Sequence, residues 1–134
     1  MGAHDPQVAD VLASASRESH DWAVAPIEQV REAVLGVGYP GDRIHFVQGR
    51  VEDTVAANAP AEIALLRLDT DWYSSTKHEL VHLYPRLMSG GILILDDYGY
   101  WQGARRAVDE YISENGLTLL LNRIDNTARS SIKP

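Results

Sequence analysis

Apolar residues in this chain gather into short blocks whose spacing switches between helix and strand periods. After Pro26, Ile27, Val30, Val34 and Leu35 share a 3.6-residue face, which predicts a helix ending at Gly36. Upstream, Asp5-Pro6 followed by Val8, Val11, Leu12 and Ala15 predicts a short helix, and residues 16–25 a polar loop. Gly38-Tyr39-Pro40-Gly41-Asp42 is a turn, and Ile44 to Val47 is expected to be a short strand leading into Gln48-Gly49-Arg50. Glu62 to Asp69 is expected to be a second strand. Its run Ile63-Ala64-Leu65-Leu66 lacks alternation, the mark of a strand covered on both faces. Ser74 to Leu87 predicts a helix with Leu80, Leu83, Tyr84 and Leu87 aligned and Thr76/Glu79 at capping-box spacing, closed by Pro85. Ser89-Gly90-Gly91 should break the chain before a buried strand, Ile92 to Leu95. Ala104, Ala107, Val108, Tyr111 and Ile112 predict a further helix ended by Gly116. Leu117 to Leu121 and Ala128 to Lys133 are expected to form a last strand pair, joined through Asp125-Asn126.

Strands alternating with helices imply an α/β fold with a parallel sheet and crossover helices. Ligands in such sheets collect beyond the carboxyl ends of the strands. Two acidic pieces stand there, Asp69-Thr70-Asp71 and Asp96-Asp97, each directly after an apolar strand. If those strands are neighbours, their tips lie about 5 Å apart. Three or four carboxylates would then converge, and without a counter-charge at least one must take up a proton. A hard divalent cation such as Mg²⁺ relieves that repulsion and leaves positions open for substrate oxygens. Arg67 is close in sequence and can pair with one acid. The plainer account is that these residues cap the turns and helices that follow, as Asp often does.

Composition narrows the field. With 134 residues, 45% hydrophobic and 23% charged, the chain is expected to fold as a single domain, residues 1–134, with 1–25 a variable N-terminal segment. A net charge of -7 disfavours nucleic acid and anionic membrane surfaces as partners. The absence of cysteine excludes disulfides, thiolate metal sites and cysteine nucleophiles. No apolar run approaches the roughly 20 residues of a membrane span. The first residues carry no basic stretch or apolar signal core, so a cytoplasmic location is the default expectation.

Several short motifs in register carry a more specific message. Leu66-Arg67-Leu68-Asp69-Thr70-Asp71-Trp72-Tyr73-Ser74-Ser75-Thr76 is followed by Leu83-Tyr84-Pro85-Arg86-Leu87, Gly90-Gly91, Asp96-Asp97-Tyr98-Gly99 and Ala104-Arg105-Arg106-Ala107-Val108-Asp109. In order and nearly in spacing they resemble the macrocin-type O-methyltransferase family of bacterial natural-product biosynthesis, most densely from Arg43 to Tyr111. The resemblance implies a partial three-layer, Rossmann-like class I methyltransferase sheet. It also implies S-adenosylmethionine as methyl donor, Mg²⁺ as cofactor, and a small-molecule hydroxyl acceptor, commonly on a sugar. Matched residue by residue, Asp69, Asp96 and Asp97 correspond to metal ligands and Asp71 to the general base. Gly49-Arg50-Val51 corresponds to a turn against the adenine, which makes Arg50 and Val51 cofactor contacts. The family's first two strands, with their glycine-rich loop and ribose-binding acid, have no match here. The strand at Ile44 to Val47 is therefore expected to lack a neighbour, and the chain alone to hold the donor poorly. A homo-oligomer or a missing N-terminal half would complete it.

Two other readings compete: a non-catalytic methyltransferase remnant or assembly module, and a small zinc hydrolase. The second rests on His78-Glu79-Leu80-Val81-His82, which matches the His-Glu-x-x-His zinc signature on a predicted helix. Against it, no third ligand is evident. Leu80, Leu83 and Leu87 would pack that helix on the sheet, leaving His78 and Glu79 towards solvent. Trp72, Tyr100 and Trp101 flank the carboxylates and offer an apolar wall to a substrate ring, or else core packing.

Overall fold

A computed structural model describes residues 25–134, so the predicted helix after Asp5-Pro6 and nearly all of the polar loop lie outside the described residues. Four strands, β1 (Ile63–Leu68), β2 (Leu87–Leu95), β3 (Asn122–Arg123) and β4 (Arg129–Ile132), form one sheet in the order β1-β2-β4-β3. β1 and β2 are parallel, as expected of strands joined by a crossover helix, whereas β4 runs antiparallel to both β2 and β3. The fold is α/β with a mixed sheet.

Helices α1 (Ile27–Leu35), α2 (Val51–Asn58), α3 (Tyr73–Leu83) and α4 (Gln102–Glu114) complete the architecture. α3 and α4 lie on one face of the sheet. There Leu66, Leu68, Leu87, Leu93 and Leu95 from the strands meet Leu80, Tyr84, Val108 and Tyr111 in one buried cluster. Each large side chain in it contributes roughly 1.5–3 kcal/mol by leaving water. Tyr73 donates its hydroxyl to Glu110 at 2.6 Å and Lys77 donates to Glu114 at 2.5 Å, tying α3 to α4. The opposite face is open among the described residues. Leu65, Ile92 and Ile132, aligned by register across three strands, are all exposed. Two layers are therefore described, not three. Among the described residues, the lack of alternation in β1 and β2 is matched by burial on one face.

Other expectations shift in detail. Ile44 to Val47 is extended at Ile44 but joins no sheet, because no strand among the described residues lies beside it. α1 forms where its pattern predicts, yet buries none of its residues. α3 ends at Leu83, and Tyr84–Arg86 tighten into a 3₁₀ turn with Pro85 at its start, which carries Leu87 into β2. No capping box forms at Thr76/Glu79, since both residues are buried on the inner face of α3. Ser89-Gly90-Gly91 is not a break but a bulge within β2. Leu87 pairs with Ile63 and Ile92 with Leu65, with Gly90 at φ 80°. Leu117 to Leu121 is not a strand, and the closing hairpin is shorter and later. Its turn is fixed by Asp125, whose carboxylate accepts the backbone N–H groups of Thr127 and Ala128 at 2.8 and 2.7 Å.

Candidate active site

β1 and β2 end side by side, so the residues that leave them share one small volume. The parallel ladder runs into the acidic motif itself: Asp96 N–H donates to the Leu68 carbonyl at 3.0 Å. Asp69, Asp96 and Asp97 each present a carboxylate oxygen, and these oxygens lie within 4.8 Å of one another. The convergence expected from the strand ends is present.

Asp71 sits beside the three. Trp72 N–H donates to the Thr70 carbonyl at 2.7 Å, which makes a tight turn with Asp71 at its centre at φ 66°. A left-handed backbone at a non-glycine residue is uncommon, tolerated best by Asn and Asp, and concentrated at functional sites. Ser75 and Glu79 hold the turn from beneath. The Ser75 hydroxyl donates to the Thr70 carbonyl at 3.1 Å, and the Thr70 hydroxyl donates to Glu79 at 2.8 Å.

The electrostatics follow from this crowding. Burial, then the adjacent Asp71 and Asp96 carboxylates, push Asp97 up to about 6. Among the described residues Asp97 Oδ2 is buried with no hydrogen-bond partner. Asp69 is also raised, by burial and then by Asp96, with Arg67 opposing. Arg67 pairs with two acids, not the one anticipated: its Nη2 donates to Asp69 at 2.8 Å and to Asp96 at 3.0 Å. A hard-oxygen donor set with one buried, unsatisfied oxygen fits a divalent cation such as Mg²⁺.

Arg50 and Val51 lie at the start of α2. The Arg50 carbonyl accepts Asp53 and Thr54 N–H groups at 3.0 and 3.1 Å, while its side chain is exposed. Val51 lines an apolar groove of about 260 Å³ with Val47, Gly49, Thr54, Val55 and Leu83. These two residues are not among the carboxylates, but Ser74 and Glu52 link the start of α3 to the start of α2 at 3.5 Å.

Glu79 is a residue that the sequence reading misplaced. It is 6% exposed and faces the core, where burial pushes its carboxyl up to about 7. His78 and His82 do stack along α3, with ring centroids 4.3 Å apart. Among the described residues no third ligand joins them, and Glu79 turns away towards Thr70. The described residues therefore do not assemble the geometry of a zinc hydrolase. Trp72 and Trp101 are half-buried with centroids 5.2 Å apart, and Tyr100 meets Trp101 edge-on at 4.9 Å while 61% exposed. They form a rim beside the carboxylates and take no part in the main apolar cluster.

The sheet with acids at two adjacent strand ends and an antiparallel closing hairpin matches the fold of class I methyltransferases. The solved structure of the O-methyltransferase NovP matches 98% of this chain and 54% of its own at a TM-score of 0.81 and 29% identity. The chain belongs to the macrocin-O-methyltransferase (TylF) family, whose profile matches residues 1–130. It is 37% identical over 109 residues to the 8-demethyl-8-(2,3-dimethoxy-alpha-L-rhamnosyl)-tetracenomycin-C 4'-O-methyltransferase of Streptomyces olivaceus, covering 81% of this chain and 41% of that protein. It is 38% identical over 88 residues to the mycinamicin III 3''-O-methyltransferase of Micromonospora griseorubida, covering 66% of this chain and 34% of that protein. The chain thus spans well under half the length of these relatives. Among the described residues no helix is long and apolar enough to cross a membrane.

Proposed function

We propose that residues 1–134 form the metal- and acceptor-binding part of an S-adenosylmethionine- and Mg²⁺-dependent O-methyltransferase acting on a hydroxyl of a natural-product sugar. The observation that carries this reading is the convergence of Asp69, Asp96 and Asp97 at two adjacent strand ends, with Asp71 beside them in a constrained turn. Family membership and the two sugar-directed relatives support the acceptor class.

In this reading Asp69, Asp96 and Asp97 hold the cation, which when bound supplies a Lewis-acid charge that lowers the acceptor hydroxyl's pKa. Asp71 takes the hydroxyl proton as the acceptor oxygen forms its bond to the methyl carbon. When bound, the donor would supply an electrophilic methyl group on a sulfonium, with the neutral thioether as leaving group. Arg50 and Val51 would lie against the donor's adenine. Trp72, Tyr100 and Trp101 shield the apolar face of the sugar ring and hold it in line. Thr70, anchored by Glu79 and Ser75, fixes the direction of Asp71.

Mn²⁺ titration followed by electron paramagnetic resonance tests the metal set. Asp96→Asn should weaken binding at least tenfold with an unchanged circular dichroism spectrum. Stoichiometric zinc lost in His82→Ala would overturn the reading. In a chain joined to the N-terminal half of a relative, Asp71→Asn should lower turnover and leave metal and donor affinity unchanged, because a general base acts on the transition state. Loss of metal affinity in that variant would make Asp71 a ligand instead.

A further inference from the structure

One positive group stands inside the carboxylate cluster, and the roles proposed above leave it unused. Arg67 and Asp69 are two positions apart, so their side chains leave β1 on the same side. Asp96 comes from the end of β2, the neighbouring strand. One guanidinium nitrogen, Nη2, reaches both acids, at 2.8 Å to Asp69 and 3.0 Å to Asp96, and Nε adds a longer contact to Asp96 at 3.3 Å. The third acid, Asp97, feels the Arg67 charge but is not among its hydrogen-bond acceptors, and among the described residues it keeps a buried oxygen without a partner. Two of the three prospective ligands thus already share one positive charge supplied by the chain itself.

We propose that Arg67 is an internal counter-cation, which holds Asp69 and Asp96 together while the site is empty and competes with the divalent ion for them. The inference rests on the metal reading above and extends it to how metal uptake is set. A guanidinium stays charged at every pH the protein meets, so the competition cannot be relieved by deprotonation. Entry of the ion requires Arg67 to release both carboxylates or to remain as a like charge a few ångströms away. Either way the affinity of the site is lower than three aspartates alone would give. The return is an ordered empty site: without the guanidinium, Asp69 and Asp96 repel and separate. Arg67 is half exposed on the open sheet face, so it has room to swing out and its influence is partly screened.

The test compares the chain with Arg67→Met and Arg67→Lys by Mn²⁺ titration at low ionic strength, with thermal unfolding measured with and without the ion. Arg67→Met should bind Mn²⁺ about tenfold more tightly. Its metal-free form should unfold at lower temperature than the unaltered chain, and Mn²⁺ should raise its Tm more. Arg67→Lys should fall between, because an ammonium cannot reproduce the planar fork. Unchanged or weaker Mn²⁺ binding in Arg67→Met would overturn the proposal while the metal reading survives, provided the unaltered chain binds the ion and Asp96→Asn loses it. Failure of the unaltered chain and of Arg67→Met to bind Mn²⁺ would overturn both.

Discussion

Leu93 and Ile92 are neighbours on β2, yet the first is 1% exposed and the second 42%. They stand for the two faces of the sheet. On Leu93's side, α3 and α4 close over the strands and every large side chain has a partner. On Ile92's side, Leu65, Ile92 and Ile132 form an apolar row among the described residues with nothing over it. The hydrophobic pattern is much the same for both faces, so pattern alone does not tell a covered face from one awaiting cover. The carboxylates sit where the two faces meet, with Glu79 beneath them on the covered side and Arg67 reaching in from the open one.

The largest contrast should come from Leu93→Ala, which removes a fully packed side chain and should cost about 2–5 kcal/mol in urea unfolding. Ile92→Ala, one residue away, should cost under about 1 kcal/mol. Equal costs would show that the open face is covered in solution, by a second copy or by residues outside those described, and light scattering would separate the two.

The next effect belongs to the covered side and depends on pH. The Glu79 pKa of about 7 lies above its ordinary 4.5, so between those values the folded chain keeps a proton that the unfolded chain has lost. Stability conferred by that proton is complete below pH 4.5 and declines as pH rises towards 7. Glu79→Gln should abolish this part of the decline, and at pH 8 should exceed the unaltered protein in stability by up to about 3 kcal/mol. Parallel stability–pH curves for the two proteins would rule out a buried titrating Glu79. The smallest effect is expected on the open side, where Leu65→Ser should change stability by less than about 0.5 kcal/mol.

The site was the more legible part of the sequence. An apolar run ending in acids, twice, with one helix between, leaves few ways to arrange the acids apart, and Asp69, Asp96 and Asp97 do converge. What the pattern hid were details of direction. Glu79 points inward because Thr70 offers its buried carboxyl a hydrogen bond, a contact nine residues away that no periodicity encodes. Arg67 bridges two strands because register sets the Asp96 carboxylate within its reach. Helix α2 went unread because its apolar residues form no stripe. It is held instead by Glu52 and Asp53 in its first turn and by Arg86, whose guanidinium donates to the Ala56 and Ala59 carbonyls at its end. Ile44 to Val47 has strand composition, but a strand needs a neighbour, and none is described.

The contact between Gly99 and the β3–β4 turn has a consequence for recombination. Gly99 N–H donates to the Thr127 carbonyl at 2.8 Å, and a methyl group at position 99 would collide with the Asn126 carbonyl. The loop that carries Asp96 and Asp97 and the hairpin turn more than two dozen residues later are in effect a single moulded piece. Chimeras that trade these loops between family members should therefore take residues 98–100 and 125–128 from the same parent. A graft of one without the other would leave two halves of a joint cut to different patterns.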